Sequence, residues 1–293
     1  MNFGGTTPEC TLGNARFVIV PVPYDLTSTY QPGSRRGPAA ILEASANMEL
    51  YDEELKKETY LAGIHTAKPV EVDARGPKTM IDAVRRRIRR IVAQGKTPVV
   101  LGGEHSITLG AVQAVAEQYP NLTVLQFDAH ADLRDRYQGT PYNHACVARR
   151  VAEFCNLVQV GIRSMSREEG DFLPGSSVKS YPADEVFARR DWAETIAGDL
   201  GGDVYVTIDL DVFDPSVMPA TGTPEPGGLF WRDVLSLLRL VSSKCSVRGF
   251  DVVELAPMPG VVAPDFMAAK LIYRFMGYLT TWPPFRGSTT RSE

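Results

Sequence analysis

The chain has 293 residues, 44% hydrophobic, 23% charged and 9% aromatic, the composition of a globular protein long enough to bury a large core. Its net charge of −4, with no Lys/Arg-rich block, speaks against a nucleic-acid partner. No apolar run approaches the ~20 residues of a membrane-spanning helix, the N-terminus lacks the basic and apolar regions of a secretory signal, and four scattered cysteines (Cys10, Cys146, Cys155, Cys245) without a CxxC read as reduced thiols, so a cytoplasmic protein without a membrane partner is expected.

Short β-branched apolar runs alternate with longer helical patterns from end to end. A strand predicted at 17–23 leads into a helix at 38–48, and a weak run at 63–66 precedes a helix at 78–94. Strands at 97–101, 122–127 and 157–162 alternate with helices at 107–118 and 144–154. A run at 177–181, a helix at 183–200, a strand at 203–208, a helix at 231–242, a strand at 247–253 and a core-facing helix at 264–281 complete the pattern. Such alternation predicts parallel βαβ units, and runs such as VVL and VYVTID, apolar on both faces, predict helices on both sides of the sheet. The expected fold class is α/β: a single domain over 1–293, a three-layer α/β/α sandwich with a mostly parallel, about eight-stranded sheet. Residues 1–14 and 286–293 are expected to be flexible ends.

In such sheets ligands bind where strands give way to loops at their carboxyl ends. Five such ends stand out, VVLGGEHS, VLQFDAHAD, QVGIRS, VTIDLDVFDP and GFDVVELAP, and three of them carry the candidate ligands. The first, VVLGGEHS, has glycines that permit a tight turn, places His105 at the strand–helix junction with Glu104 behind it, and offers Ser106 as a cap for the helix that follows. The second, LTVLQF, runs straight into Asp128-Ala-His130-Ala-Asp132, three ligating groups that an extended chain projects from one face. A chain of this composition yields Asp-x-His-x-Asp by chance only about 0.015 times, so a capping Asp beside a surface His is the weaker reading. The third, VYVTIDLD, ends in Asp209 and Asp211; two carboxylates so close at the end of a buried strand resist ionisation unless a cation shares them.

The resulting set, four aspartates and two histidines without thiolate, suits Mn²⁺, Fe²⁺, Ni²⁺ or Zn²⁺ and not a structural cysteine zinc site. Four carboxylates balance two divalent ions, and two metals about 3.5–4 Å apart are a known means of generating a nucleophile near neutral pH.

The segments GGEHS, FDAHADLRD, YNHACVARR, GIRSMSREEG, DLDVFDPSVMPATGTPEPGGL and DVVELAP together resemble the ureohydrolases, the arginase and agmatinase family, over about 20–280. The N-terminal stretch VPYDLTSTYQPGSRRGPAAILEAS extends the likeness, whose flavour is closer to agmatinase than to arginase. The resemblance implies two Mn²⁺ per chain (Ni²⁺ or another divalent ion being the alternative), one held by His105, Asp128, Asp132 and Asp209, the other by Asp128, His130, Asp209 and Asp211. It implies that a metal-bridging hydroxide attacks a guanidinium carbon, with Asp132 orienting it or taking its proton. His144 matches the family's proton-shuttling histidine. Glu254 matches the carboxylate that pairs with the substrate guanidinium, and Thr223 lines the same pocket. Arg163 and the 166–170 run read as loop-holding or subunit-contact residues, Tyr30 and Trp231 as packing residues.

The loop 133–143 lacks the Asn and Ser arrangement with which arginases hold the substrate's α-carboxylate, which favours a decarboxylated substrate. The expected activity is therefore cleavage of agmatine to putrescine and urea, within polyamine biosynthesis, by a homo-trimer or homo-hexamer. Arg134 or Arg136 facing a carboxylate would instead suit guanidinobutyrate or guanidinopropionate; arginine and free guanidine are further candidates. Single-zinc deacetylation does not use Asp132, His105 and the Asp209–Asp211 pair in this way. A non-catalytic metal-binding homologue would be expected to have lost ligands, and all six are present.

Overall fold

The computed structural model of the protein describes residues 1–5 and 10–282. Eight strands form the central sheet: β1 (Phe17–Val22), β2 (Ile64–Thr66), β3 (Thr97–Gly102), β4 (Thr123–Phe127), β5 (Asn156–Ile162), β6 (Lys179–Pro182), β7 (Asp203–Asp209) and β8 (Ser246–Val253). Their spatial order is β2-β1-β3-β8-β7-β4-β5-β6, and every neighbouring pair is parallel. The weak run at 63–66 is indeed a strand, at the sheet's edge.

Helices cover both faces, as the two-sided apolar strands require. On one face lie α1 (Gly37–Ser45), α8 (Trp231–Lys244) and α9 (Ala263–Thr281), and on the other α2 (Pro77–Val92), α3 (Thr108–Ala116) and α4 (Val147–Val151). In α2 the buried Met80, Ile81, Val84, Ile88, Ile91 and Val92 fall at helical spacing, while the arginines between them face outward. Pro77 opens that helix where its missing N–H costs nothing.

Three segments gain detail. The helix expected at 183–200 is two, α6 (Ala183–Ala188) and α7 (Trp192–Gly198), because Arg189 is extended and Asp191 turns to pair with it. The 166–170 run is helical: α5 (Arg167–Phe172) begins with a capping box in which the Ser166 and Glu169 side chains serve each other's backbone N–H. The N-terminal residues that are described are anchored and not a free end. Phe3 is fully buried, its N–H donates to Thr66 Oγ1 (2.9 Å), and Asn2 Nδ2 donates to the Ile64 carbonyl (3.2 Å). Residues 286–293 lie outside the described residues. All four cysteines are free thiols, and among the described residues no helix is long and apolar enough to cross a membrane.

What positions the site is the order β3-β8-β7-β4, which sets four strand ends side by side. Register levels them: Leu101 pairs with Val252, Val253 with Asp209, and Phe127 with Ile208. Gly103, just past β3, ties that end to those of β8 and β1. Its N–H donates to the Val22 carbonyl (2.9 Å), and its carbonyl accepts from Glu254 N–H (2.8 Å). A Cβ there would stand 1.9 Å from the Tyr24 carbonyl oxygen, a backbone atom that cannot step aside. Gly103→Ala is therefore expected to cost about 3 kcal/mol of stability, at the upper end of overpacking. Urea denaturation measures this, and an unchanged midpoint would contradict the crossing-point role.

Candidate active site

The six ligating candidates converge. Asp128, His130 and Asp132 follow β4, Asp209 ends β7 with Asp211 in the turn beyond it, and His105 begins the turn after β3. Aspartates 128, 132, 209 and 211 are all at most 5% exposed, and His105 is 1% exposed. His105 Nδ1 stands 3.0, 3.2 and 3.3 Å from carboxylate oxygens of Asp128, Asp132 and Asp209. His130 Nδ1 stands 2.9 Å from Asp211 and 3.7 Å from Asp128. Two groups of donors suited to a metal ion result, His105–Asp128–Asp132 and Asp128–His130–Asp211, with Asp128 in both. Asp209 joins the first through His105 and gives its other oxygen to Asp211 N–H (3.0 Å).

The local reason for this convergence differs from the extended chain expected. Asp132 lies in the left-handed region (φ 52°), so the backbone turns instead of alternating. Neighbours hold that turn: Arg149 N–H donates to the Asp132 carbonyl, and Glu169 accepts from Leu133 N–H (2.8 Å). Glu254 is also left-handed (φ 65°). Backbone conformations that disfavour a side chain, held at two site positions, are the pattern of strain fixed by a functional geometry. Gly161 (φ 94°) lets β5 pass close to Asp128, whose carbonyl would lie 3.1 Å from an added Cβ.

Polar residues inside otherwise apolar strands orient the ligands. Gln126 Nε2 donates to Asp128 (2.8 Å), and Gln159 Nε2 holds both Gln126 and the Ala131 carbonyl. Thr207 Oγ1 donates its proton to the buried Asp251 (2.6 Å) and lies 2.9 Å from His105 Nε2. A hydroxyl that has given away its proton can only accept, so His105 donates Nε2–H to it and leaves Nδ1 as the nitrogen facing the carboxylates, which against burial raise His105 well above the usual imidazole range. Sequence reasoning missed Thr207 and Asp251; their signal is polarity at fully buried strand positions. Arg163, as expected, holds loops: its guanidinium donates to the carbonyls of Gly161 (3.0 Å), Asp211 (2.6 Å) and Glu225 (2.8 Å). Ser106 does not cap its helix; its hydroxyl goes to Glu104.

The cluster opens into a cleft of about 220 Å³ whose walls include His144, Glu254, Thr223, Ser28, Arg134 and Tyr137. Glu254 Oε1 accepts His105 N–H (2.7 Å), which fixes the carboxylate beside the cluster. Burial and the Glu104 charge push Glu254 up to about 8, the setting of an acid that awaits a cation. Burial and the two nearby imidazoles hold His144 down to about 4, so it is a neutral base. Arg134 reaches the cleft wall but lies over the Tyr137 ring (4.7 Å) and 3.9 Å from Glu169. Arg136 is tied to the Gly139 carbonyl and does not line the cleft. Tyr30, expected to pack, is 80% exposed, whereas Trp231 does pack against the core.

Residues 15–277 match the arginase family. The chain belongs to it. The relatives of this arginase-family ureohydrolase include the N(1)-aminopropylagmatine ureohydrolase of Synechocystis, 41% identical over 273 residues that span 90% of this chain and 89% of that protein. The agmatinase of Pyrococcus horikoshii is 35% identical over 282 residues, 94% of this chain and 96% of that one. The crystal structure of the agmatine ureohydrolase of Thermoplasma volcanium matches with a TM-score of 0.84 at 33% identity, covering 92% of each chain. As a member of this family the chain is a hydrolase of guanidino compounds.

The donor set fits divalent ions. Burial, Asp211 and Asp128 push Asp209 well above the carboxylate range, and burial with the Asp128 charge pushes Asp132 up to about 7. Against burial, Asp211 and Asp128 raise His130 to about 12. Without a metal the cluster therefore stores protons, and a divalent ion must displace them. These groups shed protons as pH rises, so metal affinity rises with pH through the neutral range and is lost as pH falls. Calorimetric titration with Mn²⁺ should show proton release and an affinity at least about tenfold weaker at pH 6 than at pH 8; equal affinities would contradict the shared-proton cluster. Asp128→Asn, which removes the carboxylate common to both groups, should abolish binding.

Proposed function

We propose that this arginase-family hydrolase is a binuclear manganese enzyme that cleaves N1-aminopropylagmatine to urea and the corresponding triamine. Agmatine, giving putrescine and urea, is the second reading, favoured by the agmatinase relative at 35% identity. The observation that carries the chemistry is the convergence of His105, Asp128, His130, Asp132, Asp209 and Asp211 on one cleft with Glu254 and His144. The relative at 41% identity supports the longer amine as substrate. The cleft supports a substrate without a carboxylate, since the arginine among the described residues of its wall, Arg134, is already engaged by Glu169 and Tyr137.

In the reaction a guanidinium and water become urea and an alkylammonium; a C–O bond forms, the C–N bond to the alkyl chain breaks, and both water protons end on the departing nitrogen. Bound divalent ions would neutralise the four carboxylates and make water a stronger acid and nucleophile. Glu254 accepts N–H bonds from the guanidinium, a charge-assisted pairing carboxylates suit, and so faces its carbon toward the cluster. Asp132 takes a proton from the attacking water. His144, a neutral base, carries a proton to the leaving amine. Thr223 lines the path of the alkyl chain. The ligand count is complete, which separates this reading from a non-catalytic homologue.

A urea-release screen over N1-aminopropylagmatine, agmatine, arginine, guanidinobutyrate, guanidinopropionate and guanidine tests the proposal. The highest kcat/KM is expected for N1-aminopropylagmatine with agmatine next; a preference for a carboxylated substrate overturns it. His144→Ala should lower kcat by about 10²–10⁴ with metal content unchanged. Glu254→Gln should lower kcat/KM by about 10–100-fold, the loss of one charge-assisted pairing.

A further inference from the structure

Behind the cleft wall lies a hydrogen-bonded pair outside the metal cluster, Thr27 and Glu104, whose contact with His144 no role above absorbs. Asp25 folds the segment after β1 back over the cleft, accepting from Gly33 N–H (2.9 Å), Arg35 N–H (3.2 Å) and the Arg35 side chain. That fold buries Thr27, 7% exposed, against Glu104, which is fully buried. Thr27 Oγ1 donates to Glu104 Oε1 (2.7 Å) and Thr27 N–H donates to Glu104 Oε2 (2.5 Å), while Ser106 Oγ also donates to Oε1 (2.5 Å). Both oxygens of Glu104 are thus acceptors. On its other side Thr27 Oγ1 accepts His144 N–H (3.1 Å) and lies 3.3 Å from His144 Nδ1.

The proton count decides what the second contact is. The Thr27 hydroxyl has one proton and gives it to Glu104, so toward His144 it offers only a lone pair. We propose that Thr27, held by Glu104, is a positioning residue that fixes His144 in its Nδ1-protonated tautomer, leaving Nε2 as the one nitrogen able to take and pass on a proton. The arrangement mirrors Asp251–Thr207–His105 with the opposite result. There the threonine takes Nε2–H and turns Nδ1 to the cluster, and here it takes Nδ1–H and bares Nε2. A fixed tautomer and ring orientation let a histidine act without first reorganising, which is how a buried orienting partner raises turnover without touching substrate. The inference rests on His144 as the proton carrier of the proposed reaction.

Steady-state kinetics of the Mn²⁺-loaded enzyme test it through Thr27→Val, Thr27→Ser and Glu104→Gln. Thr27→Val keeps the shape and removes the acceptor; kcat should fall by about 10–100-fold, within the range of acid–base contributions, with KM within about twofold and metal content unchanged. Thr27→Ser restores the hydroxyl and should return kcat to within about threefold of wild type. Glu104→Gln should lower kcat like Thr27→Val, because an amide facing Thr27 frees the hydroxyl proton to point at His144. Combined, the two changes should cost no more than the worse one alone, as members of one chain do. A Thr27→Val enzyme with wild-type kcat overturns the inference, as does Thr27→Ser as impaired as Thr27→Val. Should Thr27→Val fail to fold, an unimpaired Glu104→Gln enzyme overturns it equally. Failure of the underlying reaction would appear separately, as wild-type enzyme releasing no urea from either guanidino amine.

Discussion

Four carboxylates buried within contact of two imidazoles are the constraint around which this protein is arranged. Among the described residues no lysine or arginine pairs with Asp128, Asp132, Asp209 or Asp211, although fourteen arginine and lysine side chains find acidic partners elsewhere. Even Arg163, whose guanidinium reaches this region, spends its donors on backbone carbonyls. Uncompensated charge of this density is strongly unfavourable in a dry interior. It persists when protons or cations supply the missing charge. The sheet order that sets β3, β8, β7 and β4 side by side, the Gly103 crossing and the left-handed backbone at Asp132 and Glu254 all serve to hold this one cluster together.

A second feature is how the fold assigns protons. Both histidines that face threonine are read by what the threonine does on its far side. Thr207 gives its proton to Asp251, and Thr27 gives its own to Glu104. Each carboxylate is buried at a strand or turn next to the site, so the direction of every hydrogen bond is set by residues that never reach the cleft. The reacting groups are thereby prepared before substrate arrives, which is where much of an enzyme's rate advantage resides.

Much of this was legible in the sequence. The eight strand-like runs, their parallel alternation with helices and the six ligands all stand where apolar runs meet polar motifs, and that boundary is the strongest local signal a chain of this class carries. What escaped was of two kinds. Some was long-range: Thr27 meets Glu104 across 77 residues and Phe3 packs beside β2, contacts that depend on topology alone. Some was local but conformational. Spacing in Asp128–Asp132 suggested an extended chain, whereas the positive φ at Asp132 is what turns its carboxylate in. The split of the 183–200 helix at Arg189 likewise has no glycine or proline to announce it.

The choice among guanidino amines depends on cleft walls built from loops, whereas the metal centre depends on the sheet. Metal content therefore tests the account most directly. Protein loaded with Mn²⁺, freed of excess ion and measured by mass spectrometry against its own concentration, should hold two ions per chain, the number that balances four buried carboxylates. One ion per chain or fewer would contradict it.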